Sequence, residues 1–301
     1  MLPVSPRSGS LWTAAVLLVA LAGCRGGAAG ETVDGSGRPV AVPSRVGRVF
    51  PLAPNVTELI AAAAGVGRLA GVAPADDFPA GIRGLPRVGT FPIDAEALVA
   101  LDPDLVLGSL DVTTTADADR LTALGLPTYL FRFATLGDIP HALRTLDTLL
   151  DVRGGAAAAE AFERRVATVR QSVEGFVPPR VLLLVGDEGT FYAFGRDSYA
   201  SELVRAAGGD NLTDRYPGAA ATPTEEAILD MAPEVIVVLG DADARSFGAR
   251  HPALLTTPAV LNGRVYSLDP DLISRPGPRV ADGLDALARR LHPEAFAAGA
   301  A

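Results

Sequence analysis

The sequence contains no lysine: all 26 cationic side chains are arginine. A Schiff-base lysine and the lysine of a phosphate-binding P-loop are therefore excluded. A single cysteine, Cys24, permits no internal disulfide. The three histidines, His141, His251 and His292, are far apart, and no His/Cys group has metal-ligand spacing. Positive charge is outweighed by negative, giving a formal net charge of −9, which argues against non-specific nucleic-acid binding. No Gly-x-Ser-x-Gly nucleophile elbow occurs. The 24 prolines and 32 glycines follow no triplet period and are too few for a disordered chain. What is present is apolar: hydrophobic residues make up 49% of 301, enough core for one large domain or two lobes.

One long apolar run stands at the start, residues 11–22, preceded by Arg7. It is too short to span a bilayer as a mature helix and fits a secretory signal. It ends Leu21-Ala22-Gly23-Cys24, which looks like a bacterial lipobox with cleavage before Cys24 and lipid on its thiol. Losing Arg7 and no acid would take the formal charge from −9 to −10. The Gly/Ala-rich stretch that follows reads as a flexible tether. The expected product is an exported protein anchored at a membrane surface.

The body reads as two similar halves. Arg48-Val49-Phe50-Pro51-Leu52 is expected as a buried strand. Asn55 and Glu58 have capping-box-like spacing at the start of a helix over residues 57–65. Residues 180–185 form the second-half strand, and 201–209 the matching helix. A second pair is stronger. Residues 94–107 and 224–237 each carry a capping residue, a Glu two places on, an apolar stripe at helical spacing, a Pro stop and a strand rich in branched residues. Helices alternating with buried strands argue for an α/β fold with mostly parallel sheets. Between the halves, Phe162, Val166, Val169 and Val173 fall on one helix face. About twenty residues make a helix of about 30 Å, enough to bridge two lobes. The expected organisation is a signal peptide over 1–23, a tether over 24–37, a first lobe over 38–152, a linker helix over 153–175 and a second lobe over 176–295.

Taken in order, these features resemble the periplasmic-binding-protein family that serves iron-chelate and cobalamin importers. The resemblance runs over residues 38–292. It rests on Pro54-Asn55-Val56-Thr57-Glu58-Leu59, Leu101-Asp102-Pro103-Asp104-Leu105-Val106, Asn262-Gly263-Arg264-Val265-Tyr266, Pro276-Gly277-Pro278-Arg279 and Leu291-His292-Pro293. It implies two Rossmann-like lobes with central, mostly parallel sheets joined by one long helix, and a monomer that binds without chemistry. It also implies docking onto permease arginines by one Glu per lobe. Glu96 and Glu226 match those positions, each seven residues before its Pro. The partners implied are a permease with its ATPase and a corrinoid or ferric-chelate ligand; no cofactor is expected beyond cobalt or iron within that ligand.

The cleft should lie where strands end and helices begin, between the lobes. That places it at residues 53–55, 75–79, 89–92, 214–222 and 269–275. Asn55 stands in the first of these loops. Phe78, Phe91 and Tyr216 are expected to offer aromatic faces to a large planar or macrocyclic ligand, and Asp77 and Arg275 polar contacts. Asp76-Asp77-Phe78-Pro79, Thr90-Phe91 and Tyr216-Pro217 look most like cobalamin-binding members. The chain departs from that subgroup in having its one Trp, Trp12, in the signal segment. Ferric chelates of negative charge would want converging arginines, for which Arg132 and Arg275 are candidates. Haem would want a Tyr or His ligand, and His141 is expected on an outer helix of the first lobe. Gly65-Val66-Gly67-Arg68-Leu69-Ala70-Gly71 mimics a dinucleotide fingerprint but follows a helix, so helix-capping glycines explain it. Two other classes stay open: a secreted α/β enzyme using an acid such as Asp77, and a non-transport sensor or scaffold lipoprotein.

Overall fold

The structure is a computed structural model that describes residues 30–186, 190–240 and 243–297. The signal segment and Cys24 lie outside the described residues.

In the first lobe, strands β1 (Gly30–Val33) and β2 (Pro39–Val42) pair antiparallel. Strands β3 (Val49–Pro51), β4 (Leu105–Ser109) and β5 (Thr128–Phe131) form a parallel sheet in that order. All three are buried along their whole length, as expected for a sheet covered on both faces. Around it pack α1 (Pro54–Ala64), α2 (Ala95–Leu101), α3 (Thr115–Ala123) and α4 (Asp138–Leu150). The expected tether is in part ordered. Its last residues contain β1, Asp34 is buried, and the Gly35 N–H donates to the Leu130 carbonyl at 2.7 Å. Backbone pairing with β2, whose Val40 and Val42 are in the core, outweighs the flexibility suggested by composition.

Helix α5 (Gly154–Ser172) connects the lobes. Its buried side chains include Ala159, Phe162, Val166 and Val169, and with Val173 they belong to one apolar core that runs from Val49 to Val181. Burying Phe162 alone contributes roughly 2–3 kcal/mol. The start of α5 comes very close to the first lobe. A Cβ on Gly154 would collide with the Ala63 carbonyl of α1, and one on Gly155 with the Leu143 carbonyl of α4.

The second lobe contains β6 (Arg180–Leu184), β7 (Ala193–Phe194), β8 (Asp210–Asn211), β9 (Ala220–Ala221), β10 (Val235–Leu239) and β11 (Val265–Leu268). Strand order is β11-β10-β6-β7-β9, with β8 also on β6; β11, β10, β6 and β8 run parallel, whereas β7 is antiparallel to both its neighbours, β6 and β9. Helices α6 (Tyr199–Ala206), α7 (Glu225–Met231), α8 (Ala244–Arg250), α9 (Pro258–Leu261), α10 (Val280–Leu291) and α11 (Pro293–Ala297) complete it. The faces turned away from α5 have their own smaller cores, around Phe50 and Leu98 in the first lobe and Ile236 and Phe247 in the second.

The internal duplication is visible in detail. The Asp94 side chain accepts from the Ala97 N–H at 3.0 Å to start α2, and the Thr224 hydroxyl accepts from Ala227 at 3.2 Å to start α7. Both helices end on a non-glycine residue in the left-handed region, Asp102 at φ 48° and Ala232 at φ 46°. Each is followed by proline, which cannot continue a helix.

Candidate functional site

Helix α1 begins three residues earlier than its spacing suggests. Proline at its first position is preorganised for a helix and removes a donor that would be unpaired anyway. Ala53 is therefore the cap, without a side-chain bond, and the expected Asn55/Glu58 capping box does not form. Both side chains turn toward the second lobe instead. Asn55 Nδ2 donates to the Pro276 carbonyl at 3.4 Å. Glu58 is 3% exposed and receives two hydrogen bonds from Arg279, from Nη2 to Oε1 at 2.6 Å and from Nε to Oε2 at 3.0 Å.

This pair belongs to a wider set of ionic contacts between the lobes. Arg275 reaches Asp77 Oδ1 at 2.6 Å and Asp271 Oδ1 at 3.0 Å, and lies 4.0 Å from Glu58. The Arg279 guanidinium sits over the Phe78 ring, 4.5 Å from its centroid, in cation–π geometry. Burial pushes the Glu58 carboxyl up against the opposing pull of Arg279, and the same hydrogen bonds hold Arg279 more firmly protonated. The hydrogen bond from Arg275 holds Asp77 below the usual carboxylate range, whereas desolvation raises Asp271.

Beneath them Asp76 is 2% exposed. Its Oδ2 accepts from the Ala73 N–H at 2.6 Å and the Thr57 hydroxyl at 3.0 Å, but Oδ1 is buried without a partner. Burial pushes its carboxyl up to about 6 despite those bonds.

Beside these contacts opens a cavity of about 630 Å³, at the C-terminal ends of β3 and β4. Leu52 and Ala53 follow β3, Leu110 to Thr114 follow β4, and Thr90 and Phe91 close one side. This is where ligands sit in open parallel sheets, and the size suits a small molecule. Phe91 is 95% exposed and Val112 is 62% exposed, which folding alone does not reward. The corresponding end of β6 also shows apolar surface, at Val185 and Tyr192. Of the ten lining residues, Asp111 alone ionises. Solvent reaches it, yet the surrounding protein desolvates it enough to raise its carboxyl, opposed by the Ser109 hydroxyl, which donates at 2.8 Å.

The structure brings Asp77, Phe78 and Arg275 into one cluster, with Phe91 on the cavity wall. It does not do so for the other two expected ligand contacts. Asn55 is buried, with its amide turned to Pro276. Tyr216 packs on the second lobe's smaller core, and its carbonyl accepts from the Arg196 N–H at 3.1 Å, so it anchors its own loop. Arg132 and His141 are exposed, the former with Nε on the Gly35 carbonyl and the latter on α4. Glu96 and Glu226 occupy the same exposed position, second in α2 and in α7. Sequence reasoning passed over the loop from Leu110 to Thr114, although it follows a buried strand and satisfies the rule used for the other loops. It also passed over Glu58 and Arg279, whose roles depend on lobe placement. Among the described residues, no group of three or more His, Cys, Asp or Glu side chains is placed to hold a metal ion, and no helix is long and apolar enough to cross a membrane.

The sequence and the fold are similar to those of known proteins. The sequence is 30% identical over 242 residues to the vitamin B12-binding protein of Yersinia pestis, covering 77% of this chain and 82% of that one. It is 26% identical over 278 residues to an uncharacterised ABC transporter substrate-binding lipoprotein, YvrC, of Bacillus subtilis, covering 87% and 85%. The fold superposes with a TM-score of 0.73 on the periplasmic haem-binding protein BhuT in complex with two haems, at 27% identity, over 83% of this chain and 99% of that one. A sequence profile of periplasmic binding proteins matches residues 51–272. A fold of two lobes on one helix, a cavity at the strand ends and these similarities agree: the chain belongs to the periplasmic binding protein family.

Proposed function

We propose that the protein is the solute-binding component of an ATP-binding-cassette importer and that its ligand is a corrinoid. The observation that carries the ligand class is the cavity wall. Among the described residues that line it, most are apolar, Phe91 stands out at 95% exposure, and none is Arg, His or Tyr. An apolar wall with threonine hydroxyls suits a large, amide-fringed macrocycle, and similarity to a vitamin B12-binding relative supports it. Haem would need an axial ligand and cations for its carboxylates, and the described residues of this first-lobe wall include neither.

In this reading residues 1–23 are a cleaved signal, Cys24 carries lipid, and Glu96 and Glu226 dock the lobes onto a permease. The lipoprotein relative supports the first two, and the matched exposed positions of the two glutamates support the third. The ion pair between Asp77 and Arg275 supports binding without chemistry over the enzyme alternative.

Calorimetric titration of the mature chain tests the ligand, with cyanocobalamin, haem and a ferric hydroxamate in parallel cells. Sub-micromolar binding of cyanocobalamin is expected, weakened about tenfold by Phe91→Ala. Binding of haem alone would refute the corrinoid reading.

A further inference from the structure

The charges around the cleft are unevenly available to a ligand. Glu58, Asp77 and Asp271 surround Arg275 and Arg279, so both guanidiniums are neutralised and the group keeps an excess of one negative charge. On the first-lobe side, Arg87 donates to the carbonyls of Ala73, Pro74 and Asp76, and Arg132 to that of Gly35. Asp111 stands outside these pairings. Its side-chain hydrogen-bond partner is the Ser109 hydroxyl, on Oδ2. Arg132 acts on it only through space, without ion-pair contact. From the second lobe, the buried Tyr199 hydroxyl feels the Asp111 charge but donates to the Ile273 carbonyl. Asp111 lines the cavity, and the Ser109 bond engages Oδ2 and leaves Oδ1 outside it.

We propose that Asp111 is the charge filter of the cleft: it accepts hydrogen bonds from N–H donors of a neutral or cationic ligand and repels a ligand that carries a carboxylate there. A carboxylate accepting from an amide makes one of the stronger hydrogen bonds available in a partly dry site. A second carboxylate in place of that amide loses the bond and meets a like charge. One unit charge acting across about 8 Å of partly wet cleft is worth roughly tenfold in affinity. The neutral ligand is taken from the corrinoid reading above; the charge rule does not depend on it.

Two ligand pairs separate the two ideas. The first is cyanocobalamin against its monocarboxylic acid, in which one peripheral amide has become a carboxylate. The second is the ferric complex of desferrioxamine B, with a free ammonium, against that of its N-succinyl derivative, with a carboxylate. Each is titrated into the wild type and into Asp111→Asn, which keeps an acceptor for Ser109 and removes the charge; an unchanged melting temperature shows that the variant folds. The wild type should prefer the uncharged or cationic member by roughly tenfold, and the variant should reduce that preference to within about twofold. An unchanged preference in Asp111→Asn overturns the filter while leaving corrinoid binding intact. Failure of cyanocobalamin to bind, with the charge preference retained in the hydroxamate pair, overturns the corrinoid reading and leaves the filter standing. Binding of none of the four overturns both.

Discussion

Replacing Arg279 by Met strands a carboxylate. The Glu58 side chain is 2% exposed, and two of its hydrogen bonds come from Arg279, so the variant removes the cation while Met keeps most of the apolar stem. Breaking a buried pair in this way typically costs about 3–5 kcal/mol. Arg275, 4.0 Å away, offsets part of that. Protonation of Glu58 sets a ceiling. From its ordinary value of 4.5, neutralising it at pH 7.5 costs about 4 kcal/mol, and at pH 5 under about 1 kcal/mol. The expected loss is therefore about 3–4 kcal/mol at pH 7.5, or roughly 6–16 °C in Tm for a chain of this size, shrinking to under about 1 kcal/mol at pH 5. Denaturant unfolding at both pH values, followed by circular dichroism, measures it. Adding Glu58→Gln should restore at least about 2 kcal/mol at pH 7.5, because the stranded charge is then gone. A loss below about 1 kcal/mol at pH 7.5, or one equal at both pH values, would refute the reasoning.

Asp76→Asn tests the buried acid beneath that pair. The folded protein holds the Asp76 proton up to about 6 against an ordinary 3.8, so its stabilising neutral form is fully present below 3.8 and lost as pH rises through 6. Asn should accordingly raise stability by about 1–2 kcal/mol at pH 7.5 and change little at pH 4; an equal effect at both would sink the idea. Glu96→Ala with Glu226→Ala should lower uptake through the intact importer by about tenfold or more while ligand affinity, measured by calorimetry, stays within about twofold. Normal uptake by that double variant would remove the docking role. Cys24→Ser should move the protein from the membrane fraction to the soluble fraction on immunoblots, and retention with the membrane would exclude lipid as the anchor.

The fold was legible because its signals are local. The stripe of Phe162, Val166 and Val169 marks α5, and the paired caps at Asp94 and Thr224 mark α2 and α7. Asp77, Phe78 and Phe91 could be placed near the strand ends because they sit in short loops beyond strands or helices. Asn55 and Tyr216 do not line the cavity there, for a common reason. Sequence places a residue in a loop or helix but does not give its direction, and direction here is set by contacts made across a lobe or within its core. Glu58 shows the same limit from the other side. Its spacing from Asn55 suggests a cap, while its partner Arg279 is 221 residues away. Asp111 carried no sequence signature beyond following a strand.

Gly154 and Gly155 bear on the mechanics of the whole molecule. Their lack of side chains lets the start of α5 rest, backbone against backbone, on α1 and α4, so the helix is splinted to the first lobe. Its hold on the second lobe is of another kind, through side chains such as Arg165, whose Nη2 donates to Asp282 at 2.7 Å. Side chains can slide and re-pair, whereas packed carbonyls cannot. The molecule thus consists of a heavier rigid body, first lobe plus helix, and a lighter one. The short segment between Ser172 and β6, where Gly175 turns at φ 85°, is where a change in the angle between them would be absorbed.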